Sequence, residues 1–469
     1  MGITTRGLRF VIFLYALLYF ITYFLENKTL IGLHAIIGFI MLLLAVVHLK
    51  IYHFKLPLFL FLTGFSLMLV FADGSILENL QNGLLQMSNI IGLLAVVPMI
   101  SWVLRSEPYI EEIIGLAHNF LDTSRKFYTG VMAFTHIISY FLLFGAIPMM
   151  YHFVNDILKH QRGEVWEKFK GTALLRAFAL STLWVISIPS FAFAVEALNA
   201  SLSVTILQGF LVTAAAMIVA IVFSYFEEKH YAIDLTAEIK TEINTVLENS
   251  SNKKQQKHKT LEFGSLFITL FGTIFLAYDM LNVELMMLIP IVIIIWSGIY
   301  FLVKKRPKRL ISEMKEYYLN ELSQQAYQFS VLTSAGVMIF SLNQTGIGKL
   351  IVESIHAIQG IWPFINILYF LPLIVVVLGF MGLGPLTVMV LVAGILESIS
   401  LPYAPELVVL SVTSGSAISI LLSPLIMPVI VLSHTNQMSP LKNGFKFNYK
   451  YAILLYVMVQ VYVQWMVST

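Results

Sequence analysis

"FYTGVMAFTHIISYFLLFGAIPMMYHFVNDI", residues 127–157, is a 31-residue apolar run with a glycine and a proline near its centre. As one straight helix it would be roughly 46 Å long, well beyond the roughly 30 Å hydrocarbon core of a bilayer. A single crossing would also carry Lys159, Arg162, Lys168, Lys170 and Arg176 to the outer side, against the tendency of basic residues to stay inside. Both difficulties vanish if the run is a re-entrant hairpin that turns at Gly145–Pro148. A long or bent span is the other reading. Irregular backbone at membrane depth is tolerated only where it is buried in protein or lines a cavity, so a hairpin here would itself mark function.

The rest of the chain supports a membrane setting. It has 58% apolar and only 12% charged residues, against about 25% charged in a soluble domain. Apolar runs at 9–25, 30–47, 56–72, 84–104, 261–280, 285–303, 361–381 and 446–467 each read as a span. Open sheets cannot exist in lipid, and these runs are too long and uniform for barrel strands. The expected fold class is therefore an all-α polytopic membrane protein of about 10–12 membrane segments. The first run follows Arg6 and Arg9 but lacks a small-residue cleavage site, so it reads as a retained helix with a cytoplasmic N-terminus. The net charge of +3 resides in loops and is a topology signal, not a nucleic-acid footprint. With no cysteine, thiolate metal sites and cysteine catalysis are excluded.

Two stretches, 108–122 and 310–322, have helical apolar spacing and charged opposite faces, which predicts helices lying along the interface. Residues 173–226 are apolar but interrupted at Pro189 and at "NAS", 199–201; 382–419 is interrupted twice as well. A second long segment, 326–357, is broken by "LNQTGIG". The expected organisation is a two-helix extension (1–55), a first membrane repeat (56–226), a cytoplasmic linker (227–260) and a second repeat (261–469). The two repeats share an order of elements and some residues. Displacing the chain by 201 residues sets Asn119 on Asn320 and Gly145 on Gly346; by 213, it sets Pro189 on Pro402, Ser201 on Ser414 and Ser203 on Ser416.

Duplicated halves with interrupted helices at matching positions suit a secondary transporter, whose sites lie near the midplane where broken helices free backbone groups. The stretches Phe144–Pro148, Asn199–Ser203, Asn343–Gly346 and Thr413–Ser416 resemble, as paired hairpin tips and helix breaks, those of the ion transporter superfamily. That group comprises elevator-type carriers of di- and tricarboxylates, citrate, gluconate and arsenite. The resemblance is architectural and covers roughly residues 84–435. It implies a small, anionic solute and alternating access. Sodium-coupled members carry Ser-Asn-Thr at both tips; here the first tip is "FGAIP", so the resemblance implies an asymmetric site. Repeats in that group are inverted, whereas counting charges leaves the parity of these two open.

The candidate substrate-binding residues are Asn199, Ser201, Ser203, Asn343, Gln344, Thr345, Thr413, Ser414, Gly415 and Ser416. Serine and threonine hydroxyls both donate and accept, and Gly415 frees the backbone, so 413–416 is expected to be an unwound waist. The bland reading is a small-residue packing face. Glu196 and Glu397 are the coupling candidates, since a carboxylate within the bilayer is costly unless it is used; each could instead sit at a helix end. Arg176 could hold an anion or snorkel to the interface; His136 could relay protons or simply pack. Glu406, behind "PYAP", reads as a charge at a helix N-terminus.

No P-loop, no H-E-x-x-H and no G-x-S-x-G is present. The expected function is ion-coupled transport across the plasma membrane and not enzymatic catalysis. A lipid or polyprenyl-phosphate flippase is the alternative. The expected partners are a small solute, the bilayer and, in a homodimer, a second copy of the chain. No metal site and no cofactor is expected beyond a coupling proton or sodium ion.

Overall fold

The computed structural model describes residues 3–109, 112–113, 123–158, 160–161, 163–231, 236–237, 239, 253–281, 283–347, 350, 353–354, 357 and 366–468. Among them there is no strand, and eight helical stretches are long and apolar enough to cross a membrane. The expected interfacial helix at 108–122 and the return limb of 326–357 lie mostly outside these residues.

The N-terminal part folds as α1 (Ile3–Phe24), α2 (Lys28–His53), α3 (Lys55–Phe71), α4 (Ile76–Leu85), α5 (Ser88–Val96) and α6 (Pro98–Leu104). The span expected at 84–104 lies within one stretch, Ile76–Leu104, long and apolar enough to cross a membrane, in which α4, α5 and α6 follow one another and α6 opens at Pro98. A proline has no N–H and is tolerated at a helix start, so Pro98 restarts the chain there. The middle of the chain forms α7 (Ser124–Leu142), α8 (Ala146–Ile157), α9 (Glu164–Ser181), α10 (Pro189–Ala197) and α11 (Leu202–Tyr231). Then come α12 (Lys253–Leu281), α13 (Leu285–Val303), α14 (Pro307–Glu316) and α15 (Ala326–Gln344). The chain closes with α16 (Ile367–Phe380), α17 (Pro385–Leu396), α18 (Pro405–Leu422), α19 (Met427–Asn436) and α20 (Phe447–Ser468). Helices α11 and α12 run several residues into the polar segment 227–260.

Small residues set the closest packing. A Cβ on Gly64 of α3 would stand 2.6 Å from the Met338 backbone of α15, and one on Gly336 would stand 2.8 Å from the Gly83 carbonyl of α4. The three helices therefore meet backbone to backbone, as small-residue faces allow in membranes. Helix α15 runs unbroken from Ala326 to Gln344 and ends within "LNQTGIG", where Gly346, at φ +70°, takes a left-handed turn, so the long segment is broken where expected.

The 127–157 run is broken at Leu143–Gly145, just ahead of the expected turn at Gly145–Pro148, most of which is helical. Leu143 takes φ +49°, outside the helical region, and a three-residue turn to Gly145 separates α7 from α8. Both ends of the α7–α8 pair reach the same end of the bundle. At the start of α7, the Ser124 hydroxyl donates to Glu228 of α11 at 2.7 Å. Near the end of α8, the Tyr151 hydroxyl donates to Glu167 at 2.7 Å and Lys170 donates to Asn155 at 3.0 Å, both at the start of α9. Lys168 of α9 pairs with Glu227 of α11 at 3.3 Å, joining the two levels.

The start of α16 is anchored at the opposite end. Asn366, capping α16, donates to Gln464 at 2.6 Å, near the far end of α20. Glu406 in the first turn of α18 accepts from the Ser201 N–H at 2.9 Å, at the start of α11 and remote from Glu227 and Glu228. The expected charge at a helix N-terminus is thus in place, and it also caps α11.

A polar cluster locks the basic end of the N-terminal helices to α12–α14. Glu107 accepts from Lys259 at 2.9 Å and pairs with Arg306 at 3.0 Å; Lys304 pairs with Glu262. Arg309 donates to the Ser106 carbonyl at 3.0 Å and the Arg105 carbonyl at 2.9 Å. Burial pushes the Glu107 carboxyl upward, but the hydrogen bond from Lys259 and the charges of Lys259, Arg306 and Lys304 outweigh it and hold it below the usual glutamate value. A depressed carboxylate stabilises the fold above its unfolded pKa of about 4.3, and that contribution is lost as pH falls through the lower folded value. Thermal midpoints of the native chain and Glu107→Gln should therefore differ by a constant amount near neutrality and converge in acid. A gap that widens as pH falls would refute the assignment.

Candidate functional site

The breaks converge on one cavity. It has a volume of about 300 Å3 and is lined by Leu143 and Gly145 of the α7–α8 turn, Pro189 and Ser190 opening α10, and Pro385 and Leu386 opening α17. Its remaining wall comes from the α5–α6 kink at Val97–Pro98, from Gln325 and Gln328 at the start of α15, and from Ile420 of α18.

The local sequence explains why these termini are open. Helices α10 and α17 both begin with proline and have no side-chain cap. The first intrahelical acceptors are reached only by Phe191, at 3.0 Å from the Ile188 carbonyl, and by Val388, at 3.0 Å from the Gly384 carbonyl. The N–H groups ahead of them, on Ser190, Leu386 and Thr387, have no partner within their own helices. Helix dipoles add a partial positive charge at each start. The side chains supply little more. The Thr182 hydroxyl donates to the Ala179 carbonyl and the Ser101 hydroxyl to the Pro98 carbonyl, both at 2.7 Å. Gln325 donates to the Tyr317 hydroxyl at 3.1 Å, which leaves its amide oxygen available. Among the described residues no charged side chain lines the cavity.

No protein-family model matches this chain, and no characterised protein is significantly similar to it. The cavity has to be read from its own chemistry.

The ten expected substrate residues lie elsewhere. Thr413, Ser414, Gly415 and Ser416 are wound into the uninterrupted helix α18, which breaks only at Ser423, so the expected unwound waist is corrected. Thr413 donates to the Val409 carbonyl at 2.9 Å and Ser414 to the Ser411 carbonyl at 2.7 Å. A Cβ on Gly415 would fall 2.7 Å from both the Cα and the carbonyl oxygen of Pro372 in α16. This is a packing face. Gly415→Val is expected to cost about 1–3 kcal/mol of stability by forcing α16 and α18 apart. An unchanged thermal midpoint would show that the contact is loose.

Asn199, Ser201 and Ser203 form an exposed turn at the start of α11, with Asn199 at φ +52°. Asn343, Gln344 and Thr345 end α15; the Asn343 side chain accepts from Ser398 at 3.0 Å, and the Thr345 hydroxyl turns back to the Leu342 carbonyl at 2.7 Å. Neither group lines the cavity.

Three of the four ionisable candidates are held by protein. Glu196, at the far end of α10 from the cavity, accepts from the Met286 N–H at 2.7 Å and from Asn89 at 3.5 Å, so it caps α13. Glu397 is exposed at the end of α17. Arg176 does not snorkel: it is wholly buried, donating to Asn448 at 3.1 Å, the Tyr128 hydroxyl at 3.1 Å and the Phe447 carbonyl at 3.4 Å. It also lies 3.6 Å from Glu227 and 4.6 Å from the centre of the Tyr451 ring. His136 bonds through both nitrogens, to the Ala177 carbonyl at 2.9 Å and to the Trp184 N–H at 3.2 Å. A carbonyl accepts and an indole N–H donates, so the ring is a neutral tautomer engaged in packing.

Proposed function

We propose that the protein is a secondary transporter that moves a small polar solute by alternating access, with the cavity at the α10 and α17 N-termini as its binding site. One observation carries the reading: two half-length helices and a helix turn, drawn from both halves of the chain, present their open ends to a single partly open cavity. Discontinuous helices meeting at one site are how such carriers bind solutes with backbone groups. The positive helix starts favour an anion, and the lack of a charged side chain in the wall among the described residues favours a small one that carries little charge.

The reading includes an inverted repeat, in a different register from the displacements of 201 and 213. Helices α8 and α17 are each 12 residues long, α9 and α18 each 18, and α10 and α19 are 9 and 10. Their starts, Ala146 and Pro385, Glu164 and Pro405, Pro189 and Met427, lie 238–241 residues apart. In this scheme α7–α8 and α16–α17 are re-entrant hairpins, and α9–α10 and α18–α19 are broken spans. The anchoring of the α7–α8 pair and of the start of α16 to opposite ends of α11 and α20 supports inversion. The N-terminus and the basic end are then cytoplasmic, and protons or sodium drive the cycle.

Purified protein in proteoliposomes tests this. Counterflow of labelled small carboxylates and inorganic anions, with imposed proton and sodium gradients, should reveal gradient-dependent accumulation of at least one. A cavity of about 300 Å3 is at the small end for ligand pockets and too small for a polyprenyl phosphate. Lipid scrambling without solute flux would therefore overturn the assignment.

A further inference from the structure

A second pocket, of about 440 Å3, opens at the basic end between α9, α11 and α20, far from the helix starts just described. Lys168, Lys446 and Lys450 line it, with Glu227. Glu227 is already shared between Lys168 at 3.3 Å and Arg176 at 3.6 Å. Two cations thus already hold the one carboxylate, and two further lysines line the same pocket. Lys446 and Lys450 are exposed, four residues apart and so on one helical face, and form no salt bridge among the described residues. Like charges at that spacing destabilise a helix unless an anion lies between them.

The surface above the pocket is apolar in two stripes. On α11, Phe226, Val222 and Ile218 are exposed at four-residue intervals leading away from the pocket. On α20, Tyr449, Ile453 and Val457 do the same. The two helices touch, and Phe226 and Tyr449, which head the two stripes, line the same pocket. Lysines at a membrane interface attract anionic headgroups, and amphipathic aromatics sit at that level.

We propose that this pocket binds the phosphate diester of an anionic diacyl phospholipid, with the lysines around the headgroup and one acyl chain along each stripe. A bound phosphate would compete with Glu227 for Lys168 and so reach Arg176, which ties α7, α9, α11 and α20 together.

Native mass spectrometry of the full-length protein, with phosphatidylglycerol and phosphatidylcholine of identical chains added, provides the test. The chain should retain one phosphatidylglycerol at least about tenfold better than phosphatidylcholine, because each lysine near the surface contributes about 1 kcal/mol. Lys446→Gln/Lys450→Gln should erase that preference; both side chains are exposed, and an unchanged thermal midpoint without lipid would show the fold intact. Lys442→Gln, whose partner is Glu164 at 2.6 Å, should keep the preference. Equal retention of both lipids, or full preference in the double variant, would refute the proposal. So would stabilisation by inorganic phosphate equal to that by phosphatidylglycerol, since the site would then hold a soluble anion.

Discussion

Arg176→Met should lower stability by about 3 kcal/mol, the order expected when one partner of a buried charged network is removed. Its guanidinium is buried and donates to Asn448, Tyr128 and the Phe447 carbonyl. Methionine fills much of the volume but leaves the Asn448 oxygen and the Phe447 carbonyl without that donor. Buried acceptors stripped of a partner cost about 1–3 kcal/mol each. Glu227 is spared the full penalty, because Lys168 still holds it. Arg176→Lys keeps the charge but offers a point donor in place of a planar fork, so it should fall between the two. The measurement is thermal unfolding in detergent. If Arg176→Met unfolds with the native chain but loses solute uptake, the arginine is a solute contact and not an internal strut.

That contrast shows which features can be read from a sequence. The break in 127–157 was legible because helix length and loop charge both objected to a straight span, and it appears at Leu143. Pro189 was legible for the same local reason: proline cannot continue a helix. Of the two breaks expected in 382–419, the one around Pro402 is present between Leu396 and Pro405, and the one at 413–416 is not. "TSGS" at 413–416 has the composition of a waist, yet its hydroxyls bond the preceding turn and its glycine admits Pro372. Packing faces and binding sites in membranes draw on the same small polar residues, and composition cannot separate them. Pro385, which does line the cavity, closes a turn signal in "GLGP". The sequence places a boundary at 381–382, but nothing in it marks a cavity wall there. Ionisable residues misled in a related way. Glu196 and Arg176 are conspicuous in apolar sequence because burying them requires partners, and here the partners are a helix N-terminus and a polar network.

Gly145→Trp should abolish transport while leaving the fold intact. Gly145 lines the cavity at the turn between α7 and α8, with φ at −65°, where any L-residue fits without strain. A Cβ there meets only the Leu142 Cβ, at an ordinary 3.8 Å. The position therefore accepts a side chain sterically and directs it toward open space. An indole would occupy a large share of about 300 Å3 and would cover the open helix starts at Ser190 and Leu386. Uptake should fall by roughly tenfold or more, since a pocket of this size has no room for both indole and solute. Gly145→Ala should transport normally. The thermal midpoint of the tryptophan variant should stay near that of the native chain, which distinguishes blockage from unfolding. Gly415→Val gives the opposite pairing: a lowered midpoint from a crowded helix contact, with no side chain entering the cavity. Undiminished uptake by a folded Gly145→Trp protein would place the solute pathway elsewhere and remove the main support for the cavity as the binding site.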